Sequence, residues 1–504
     1  MSPRVIVIGA GFGGIAVGIG LLQAGVEHLT VLDKGDRVGG VWRDNDYPDC
    51  ACDIPAVLYS FSFALNPDWS CRFPPRAEIQ SYLEDIVERF GLRPHLRLRT
   101  EVTAATFDED TQTWSVETAS GDRLECDVLV SAVGQLARPV TPQIDGLGSF
   151  GGASFHSAEW DETVDLDGRR VAVVGTGASA IQIVPAIAER AAQVTVFQRS
   201  APWTLPKPNR RYGSVKRLVG RAVPATLKAG RAATWAVTSA MSLAVTGNSI
   251  AGALFTAVST GQRRLQVRDR ALREKVTPDY DMGCKRVLFT SRWYPALERS
   301  TVDVVTDPVE RVTPSGIVTA DGVEHLADVL VFGTGFAATE FLVPMTVTGR
   351  GGTQLAEYWK DGAHAYLGMT VPDFPNLFLV YGPNTNTGST SVVYFHEAQA
   401  RYIVQAVRLL SAMRGGTLEV REEVEGDFDR ELQTRLGGMV WSGCESWYRT
   451  SGGRTVTNWP GMAGEYRRRT ARLDPADYLV TAPVNRSAPA PAAKPRRRAG
   501  AAAS

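Results

Sequence analysis

Two short stretches of this chain carry glycines at the spacing that lets a backbone lie against phosphate. In the first, Val5 to Ile8 reads as a strand that runs into Gly9-Ala10-Gly11-Phe12-Gly13-Gly14 and then into IAVGIGLLQAG, a helix-like stretch. A Gly-x-Gly-x-x-Gly turn between strand and helix gives each glycine a task. Gly9 permits the tight turn, Gly11 admits the backbone to a pyrophosphate, and Gly14 brings helix close to strand. The phosphate charge then faces the positive end of the helix. A further strand, HLTVLD, ends in Asp33, whose carboxylate can accept the hydroxyls of an adenosine ribose.

The pattern returns at VAVVGTGASAIQIVPAIA, with Gly175-Thr176-Gly177-Ala178-Ser179-Ala180 after a strand from Val171 to Val174. Here the third small residue is Ala180, and the next strand, VTVFQRS, leads to Arg199 instead of an acid. A carboxylate at that register repels a 2′-phosphate, whereas a guanidinium pairs with it in bidentate fashion, so this site is expected to prefer NADPH over NADH. The N-terminal loop is followed by Asp33 and by GDRVGGVW, whose glycines suit backbone lying against a large ligand. Two more segments, DVLVSAVG at 127–134 and DVLVFGTGF at 328–336, end in small residues of the kind seen where a strand abuts a flavin nucleotide. FAD in the first site and NADPH in the second is the economical arrangement, and it makes the chain a flavoprotein.

The elements that carry two such sites need a long chain, and 504 residues suffice for two or three packed domains. The 54 basic and 54 acidic side chains cancel, which leaves no net field to attract nucleic acid, so small-molecule partners are expected. MSPRVIVIGAGFGG enters a strand without a cleavable apolar segment, which sets the expectation of a cytoplasmic protein. Cys50, Cys52, Cys71, Cys126, Cys284 and Cys444 lack the paired spacing of a zinc site. No metal is expected, and the thiols are expected to stay reduced. Cys50 and Cys52 flank a single residue, closer than the pair of a disulfide reductase, and read as small buried side chains.

No residue between Arg231 and Arg263 is charged, but Thr, Ser, Asn and Gly dilute the run and Gly247-Asn248-Ser249 divides it. It reads as a buried helical hairpin within an insert, not as an integral membrane span, with contact to a membrane face left open. From Ala482 onward the chain is Ala/Pro-rich with one basic cluster and reads as a disordered tail.

Just ahead of the second glycine loop stands FGGASFHSAEWDE, residues 150 to 162, with Phe150, Gly152, His156, Trp160 and Asp161 at fixed offsets. This resembles the signature of type I Baeyer-Villiger monooxygenases, in the flavin-containing monooxygenase superfamily. Gly39-Gly40-Val41-Trp42, Tyr47-Pro48 and Asp53 resemble that family's second signature, GGxWxxxxYPxxxxD, and the likeness spans about residues 3 to 480. Relatives that oxidise nitrogen and sulfur share the Phe-Gly-His frame but, as the family pattern stands, lack the tryptophan found here at 160. The resemblance therefore tilts toward carbonyl oxygenation. In the family the histidine and tryptophan lie on the linker that joins the two dinucleotide domains, where an aromatic and an imidazole can coordinate their motion.

DYDMGCKRVLFTSRWYP is similar to the family's Lys-Arg segment. The resemblance implies that Arg286 stabilises an anionic C4a-peroxyflavin and then the tetrahedral adduct, that Lys285 reaches the 2′-phosphate of NADPH, and that Asp53 orients the guanidinium. An arginine suits that duty because it stays charged at any working pH and offers several donors at once. The resemblance further implies FAD contacts at Gly9, Gly11, Phe12, Gly14, Asp33, Gly40, Val41, Trp42, Cys52, Asp53, Tyr59 and Val102. NADPH contacts are implied at Gly175, Thr176, Gly177, Ala178, Ser179, Ala180, Gln182, Arg199, Ser200 and Lys285. Residues 374–390 resemble the late FAD-domain strand and loop, and 452–466 a mobile loop near the nicotinamide, with Trp459 as a lid aromatic. Three departures stand out: Asp49 where many relatives have glycine, Asp33 for the commoner glutamate, and Gly333 for alanine.

The expectation is an α/β chain with two Rossmann-like dinucleotide-binding domains and a helical insert. FAD is placed at 1–143 and 330–480, NADPH at 144–208 and 284–329, the insert at 209–283 and the tail at 481–504. The resemblance implies an enzyme that uses NADPH and O2 to insert one oxygen atom next to a ketone carbonyl, giving an ester or lactone. The alternatives are a heteroatom monooxygenase and a non-catalytic flavin-binding redox sensor, and the latter gives Asp53 no reason to accompany Arg286. The ketone, its selectivity and the oligomeric state are not legible in the residues.

Overall fold

The computed structural model describes residues 2–245, 249–388 and 390–484. Two five-stranded parallel sheets organise it. The first runs Leu377–Leu379, Val128–Ser131, Val5–Ile8, Leu29–Leu32, Leu96–Arg97. The second runs Val302–Val305, Gln193–Phe197, Arg170–Val174, Val329–Phe332, Ala153–His156. Their central strands are aliphatic runs, VIVI and, after Arg170, VAVV, as strands covered on both faces must be. Each glycine loop leaves the carboxyl end of its central strand at the point where strand order reverses, which is where open α/β sheets hold ligands.

The helix Phe12–Gln23 is apolar all round because it is covered all round. It packs on the helix Val392–Ala412, and its glycines set how closely. A Cβ on Gly20 would lie 3.1 Å from Val404 Cγ2 of that helix, and one on Gly13 2.7 Å from Val380 Cγ1, just past the strand Leu377–Leu379. An antiparallel ribbon of Val102–Asp108, Thr113–Thr118 and Arg123–Cys126, extended by Thr346–Thr348, closes over the far side of the first sheet.

Four expectations need correction. The strand Val329–Phe332 is paired on both sides within the second sheet, so the boundary expected at 330 cuts through it. At its end Gly333 faces Gly175 and Ala180 of the second glycine loop. The insert forms Ser214–Ala222, Ala225–Val245, Ser249–Gln266 and Arg270–Lys275. Its two long helices pack on one another but are not buried, since Val237, Ile250, Leu254 and Val258 are exposed. The break expected at Gly247-Asn248-Ser249 falls largely outside the described residues. No helix among the described residues is long and apolar enough to cross a membrane.

The chain remains paired past the expected start of the tail. Tyr478–Thr481 forms a ladder with Thr417–Val420, and the Val484 amide donates to Gln112 Oε1. The rest of the tail lies outside the described residues. Finally, Cys284 and Cys444 form a disulfide, with Cα atoms 6.1 Å apart. Spacing rules see only near neighbours, and these partners are 160 residues apart. Cys50, Cys52, Cys71 and Cys126 are free and buried, as expected for small core side chains.

Candidate active site

The first loop is shaped by what a Cβ would strike. Gly9 has φ +105°, and a Cβ there would lie 2.4 Å from Ala132 O; one on Gly14 would lie 1.8 Å from Gly9 O. Gly11 faces Gly40 so closely that a Cβ on Gly40 would stand 3.2 Å from Gly11 Cα. No side chain caps the helix that starts at Phe12. The loop thus leaves its first-turn amides uncapped by side chains beside a cradle that only glycines can line, which fits a pyrophosphate.

Asp33 is buried and already engaged. It accepts from the Ala10 amide at 2.7 Å, the Gly35 amide at 2.8 Å and Arg43 Nη1 at 2.5 Å. These use three of the roughly four acceptor positions of a carboxylate, leaving about one for a ribose hydroxyl. Arg43, unremarked in the sequence, is therefore the partner that keeps a buried acid at this position. Val102 begins a strand close by, where the Thr100 amide donates to Asp33 O at 2.8 Å. Phe12, Trp42 and Tyr59 meet edge to face, Trp42 Nε1 donating to Tyr59 Oη at 3.1 Å. Cys52 is buried, its Sγ accepting from the Ile54 amide, whereas Val41 turns outward.

In the second loop Gly175 has φ +111°, and a Cβ would meet Gly333 O at 2.5 Å. Gly333 in turn faces Ala180, with 3.3 Å between the added Cβ and the existing one. The alanine in place of the third glycine and the glycine in place of alanine are one compensated exchange. The Ser179 side chain makes no cap to the helix Ala180–Ile187. Thr176 Oγ1 donates to Ser200 O at 2.9 Å, and Lys285 Nζ to Ser200 Oγ at 3.0 Å. Burial, and then the Arg199 charge, lower the Lys285 pKa, so Arg199 and Lys285 lie on the same side of Ser200. Two cations this close favour an anion between them. Gln182, expected as a cofactor contact, already has protein partners. Its amide spans the two halves of the molecule, Nε2 donating to Ala51 O at 3.0 Å and Oε1 accepting from the Ala51 amide at 3.1 Å.

Across that seam Arg286 Nη2 donates to Asp53 Oδ1 at 3.0 Å and Oδ2 at 2.8 Å. The arginine side chain keeps 39% of its surface and the aspartate 17%. Burial works to raise the Asp53 pKa, but the Arg286 and Lys207 charges outweigh it and hold the carboxyl below its usual value. The Asp53 charge pushes the Arg286 pKa up. Both groups are locked in their charged forms. Lys207, Tyr381 and Tyr448 act on this pair and were not picked out from the sequence. Their segments meet through contacts too short to leave a pattern, such as the two-residue ladder of Thr204–Leu205 with Leu288–Phe289. Burial raises the Tyr381 pKa to about 12.

The 150–162 stretch is not a free linker, because Ala153–His156 is an edge strand of the second sheet. Gly152 is required where a Cβ would lie 2.2 Å from Asp328 O, and Phe150 packs in the small core beneath. His156 is buried with Nδ1 accepting from the Ala158 amide at 3.1 Å, and burial lowers its pKa. It stands edge to face with Phe336, just past the neighbouring strand, and Trp160 with Phe155. Asp49 has φ +60°, a conformation suited to the glycine of relatives, and its carboxylate is paired with Arg292. Trp459 is no lid. It is buried in the main core against Phe428 and Tyr466.

Two doubly wound sheets, each with a phosphate-fitting loop, joined by a fixed guanidinium–carboxylate pair, define a two-dinucleotide oxidoreductase. The comparisons narrow this class. A family model described as pyridine nucleotide-disulphide oxidoreductase matches residues 6–234. The chain is 43% identical to a Baeyer-Villiger monooxygenase of Streptomyces coelicolor, over 95% of this chain and 93% of that one. The structure of cyclohexanone monooxygenase from Rhodococcus sp. Phi1 bound to NADP+ matches with a TM-score of 0.85 at 28% identity, covering 95% of this chain and 99% of the other. A complex of OTEMO with FAD and NADP matches with a TM-score of 0.83 at 27% identity, covering 93% and 97%. The chain belongs to the Baeyer-Villiger monooxygenases.

Proposed function

We propose that the protein uses NADPH and O2 to insert one oxygen atom beside the carbonyl of a ketone, giving an ester or lactone. FAD is assigned to the loop from Gly9 to Gly14 and NADPH to the loop from Gly175 to Ala180. The FAD body comprises 1–143 and the stretch that resumes after Phe332 and runs to 480; the NADPH body comprises 144–208 and 284–332. The cytoplasm is the proposed compartment. Bound FAD would supply the chemistry, passing on reducing equivalents from NADPH and activating O2 for attack on the carbonyl carbon.

The observation that carries this reading is the Arg286–Asp53 pair. With Nη2 committed to Asp53, Nη1 and Nε have no protein acceptor among the described residues. Those donors can hold negative charge that develops on oxygen at the reacting centre. Asp53 fixes the plane of the guanidinium, so no reorganisation is needed when that charge appears. Arg199, Ser200 and Lys285 hold the 2′-phosphate, and Gln182 keeps the two bodies in register. A redox sensor without turnover would need the loops but not this pair.

Purified protein supplied with NADPH and a panel of ketones and sulfides tests the reading. Ketones should accelerate NADPH consumption and give products heavier by one oxygen atom. Sulfoxides formed without any ester or lactone would assign the protein to heteroatom oxidation, and absence of any oxygenated product would withdraw the function.

A further inference from the structure

We propose that the helical insert docks peripherally on an anionic lipid surface. Its two long helices are amphipathic in the reverse of the usual sense. In Ser249–Gln266 the fully buried side chains are polar, Ser259, Gln262 and Arg263, with Phe255 half-buried, and Gln262 Nε2 donates to Thr290 O at 2.7 Å. The outward stripe is apolar, with Ile250 (81% exposed), Leu254 and Val258 at every fourth residue and Leu265 (82% exposed) beyond them. Residues so spaced share one helix face. Ala225–Val245 repeats the inversion in part, burying Thr238, Ser239 and Ser242 while exposing Val237, with Trp235 set against Tyr394 on the inner side. The short helix Ser214–Ala222, packed beside it, exposes Val215 (72%) and Leu218 (66%). Water alone gives no reason to turn branched aliphatic side chains outward in three neighbouring helices.

Charge selects the occupant. Between Glu189 and Asp269 there is no acidic residue, while thirteen lysines and arginines occur. At the composition of the whole chain that run would hold about eight acids. Lys216, Lys228, Arg264 and Arg268 are exposed on or beside these helices, and among the described residues Lys228 and Arg264 take part in no ion pair. An apolar stripe edged by cations and free of acids is what an interfacial helix presents to anionic lipid. A second copy of the chain would bring the same cations against themselves, which opposes self-association through this face. With no membrane-crossing helix among the described residues, the contact would lie in the plane of the interface.

The test is co-sedimentation of the full FAD-loaded chain with vesicles of phosphatidylcholine alone and of phosphatidylcholine mixed with phosphatidylglycerol. Binding is expected to the mixed vesicles and not to phosphatidylcholine alone, and should weaken in high salt. Each cation at an anionic surface is worth about fivefold in partitioning, so Lys228→Glu with Arg264→Glu should lower binding more than tenfold. Ile250→Ser with Leu254→Ser should also lower it about tenfold, leaving the rate of NADPH oxidation unchanged because both side chains face away from the site. No binding to mixed vesicles, equal binding to both lipids, or binding indifferent to either pair of substitutions would overturn the proposal. So would a concentration-dependent dimer that Ile250→Ser with Leu254→Ser disperses.

Discussion

Removing the Arg286 guanidinium should separate two events that share one site. Reduction of FAD needs NADPH held against it, whereas oxygen insertion also needs a fixed positive charge beside the reacting oxygen. Arg286→Ala is therefore expected to let NADPH bleach the bound FAD while ester or lactone yield falls about 10²- to 10³-fold and hydrogen peroxide takes its place. Anaerobic stopped-flow reduction followed by aerobic product analysis reads both, and near-parental yield would remove Arg286 from the role. Lys285, the residue before Arg286, meets Arg199 near Ser200. Arg199→Ala should weaken NADPH binding by about 1.5 to 3 kcal/mol, the worth of a charge-assisted hydrogen bond, and leave NADH binding nearly unchanged. Titration of both cofactors decides it, and equal loss for each would place Arg199 away from the 2′-phosphate.

At the scale of elements, what could be read from the sequence divides by range. The two loops were legible because the Gly-x-Gly-x-x-Gly spacing is a local pattern, but only a Cβ on Gly14 would strike backbone of its own loop; those on Gly9 and Gly175 would meet Ala132 O and Gly333 O, which lie far along the chain and leave no mark in the spacing. Gly152 was legible as a motif, but its reason, Asp328 O at the foot of a strand 176 residues later, was not. Long-range pairing left no signal at all, and Cys284–Cys444 shows the consequence. That bond ties the segment carrying Lys285 and Arg286 to the stretch carrying Tyr448. Closing so long a loop restricts the unfolded chain, so Cys444→Ser should lower stability by about 2–4 kcal/mol. Thermal unfolding without reductant should show the drop, and thiol reductant should bring the parent down to the variant. Identical curves for the two proteins under non-reducing conditions would mean the bond does not form in solution.

Across the whole molecule, acid sensitivity follows from where the histidines lie. His396 sits in the helix Val392–Ala412, inside the larger core, with neither ring nitrogen hydrogen-bonded among the described residues. Burial alone pushes its pKa down to about 3. In an unfolded chain a histidine titrates near about 6.5. Between those values the unfolded state binds a proton that the folded state refuses, so stability falls by about 1.4 kcal/mol for each unit of pH lost. His156, also lowered by burial, acts in the same direction. The depressed carboxylates Asp53 and Asp328 contribute stability that is present above their unfolded values and is lost only as pH falls through their lower folded ones. Glu419, raised by burial, works in the opposite sense. Comparing the parent with His396→Leu cancels every group but one. Leucine fills the site without a buried polar atom, so the variant should be about 1 kcal/mol more stable at neutral pH. That gap should widen by about 2 kcal/mol between pH 6.5 and 5. Denaturant unfolding of the FAD-saturated proteins across that range measures it. Parallel stability curves would show that His396 is charged or solvated in the folded chain, and acid sensitivity would then have to be sought at His156.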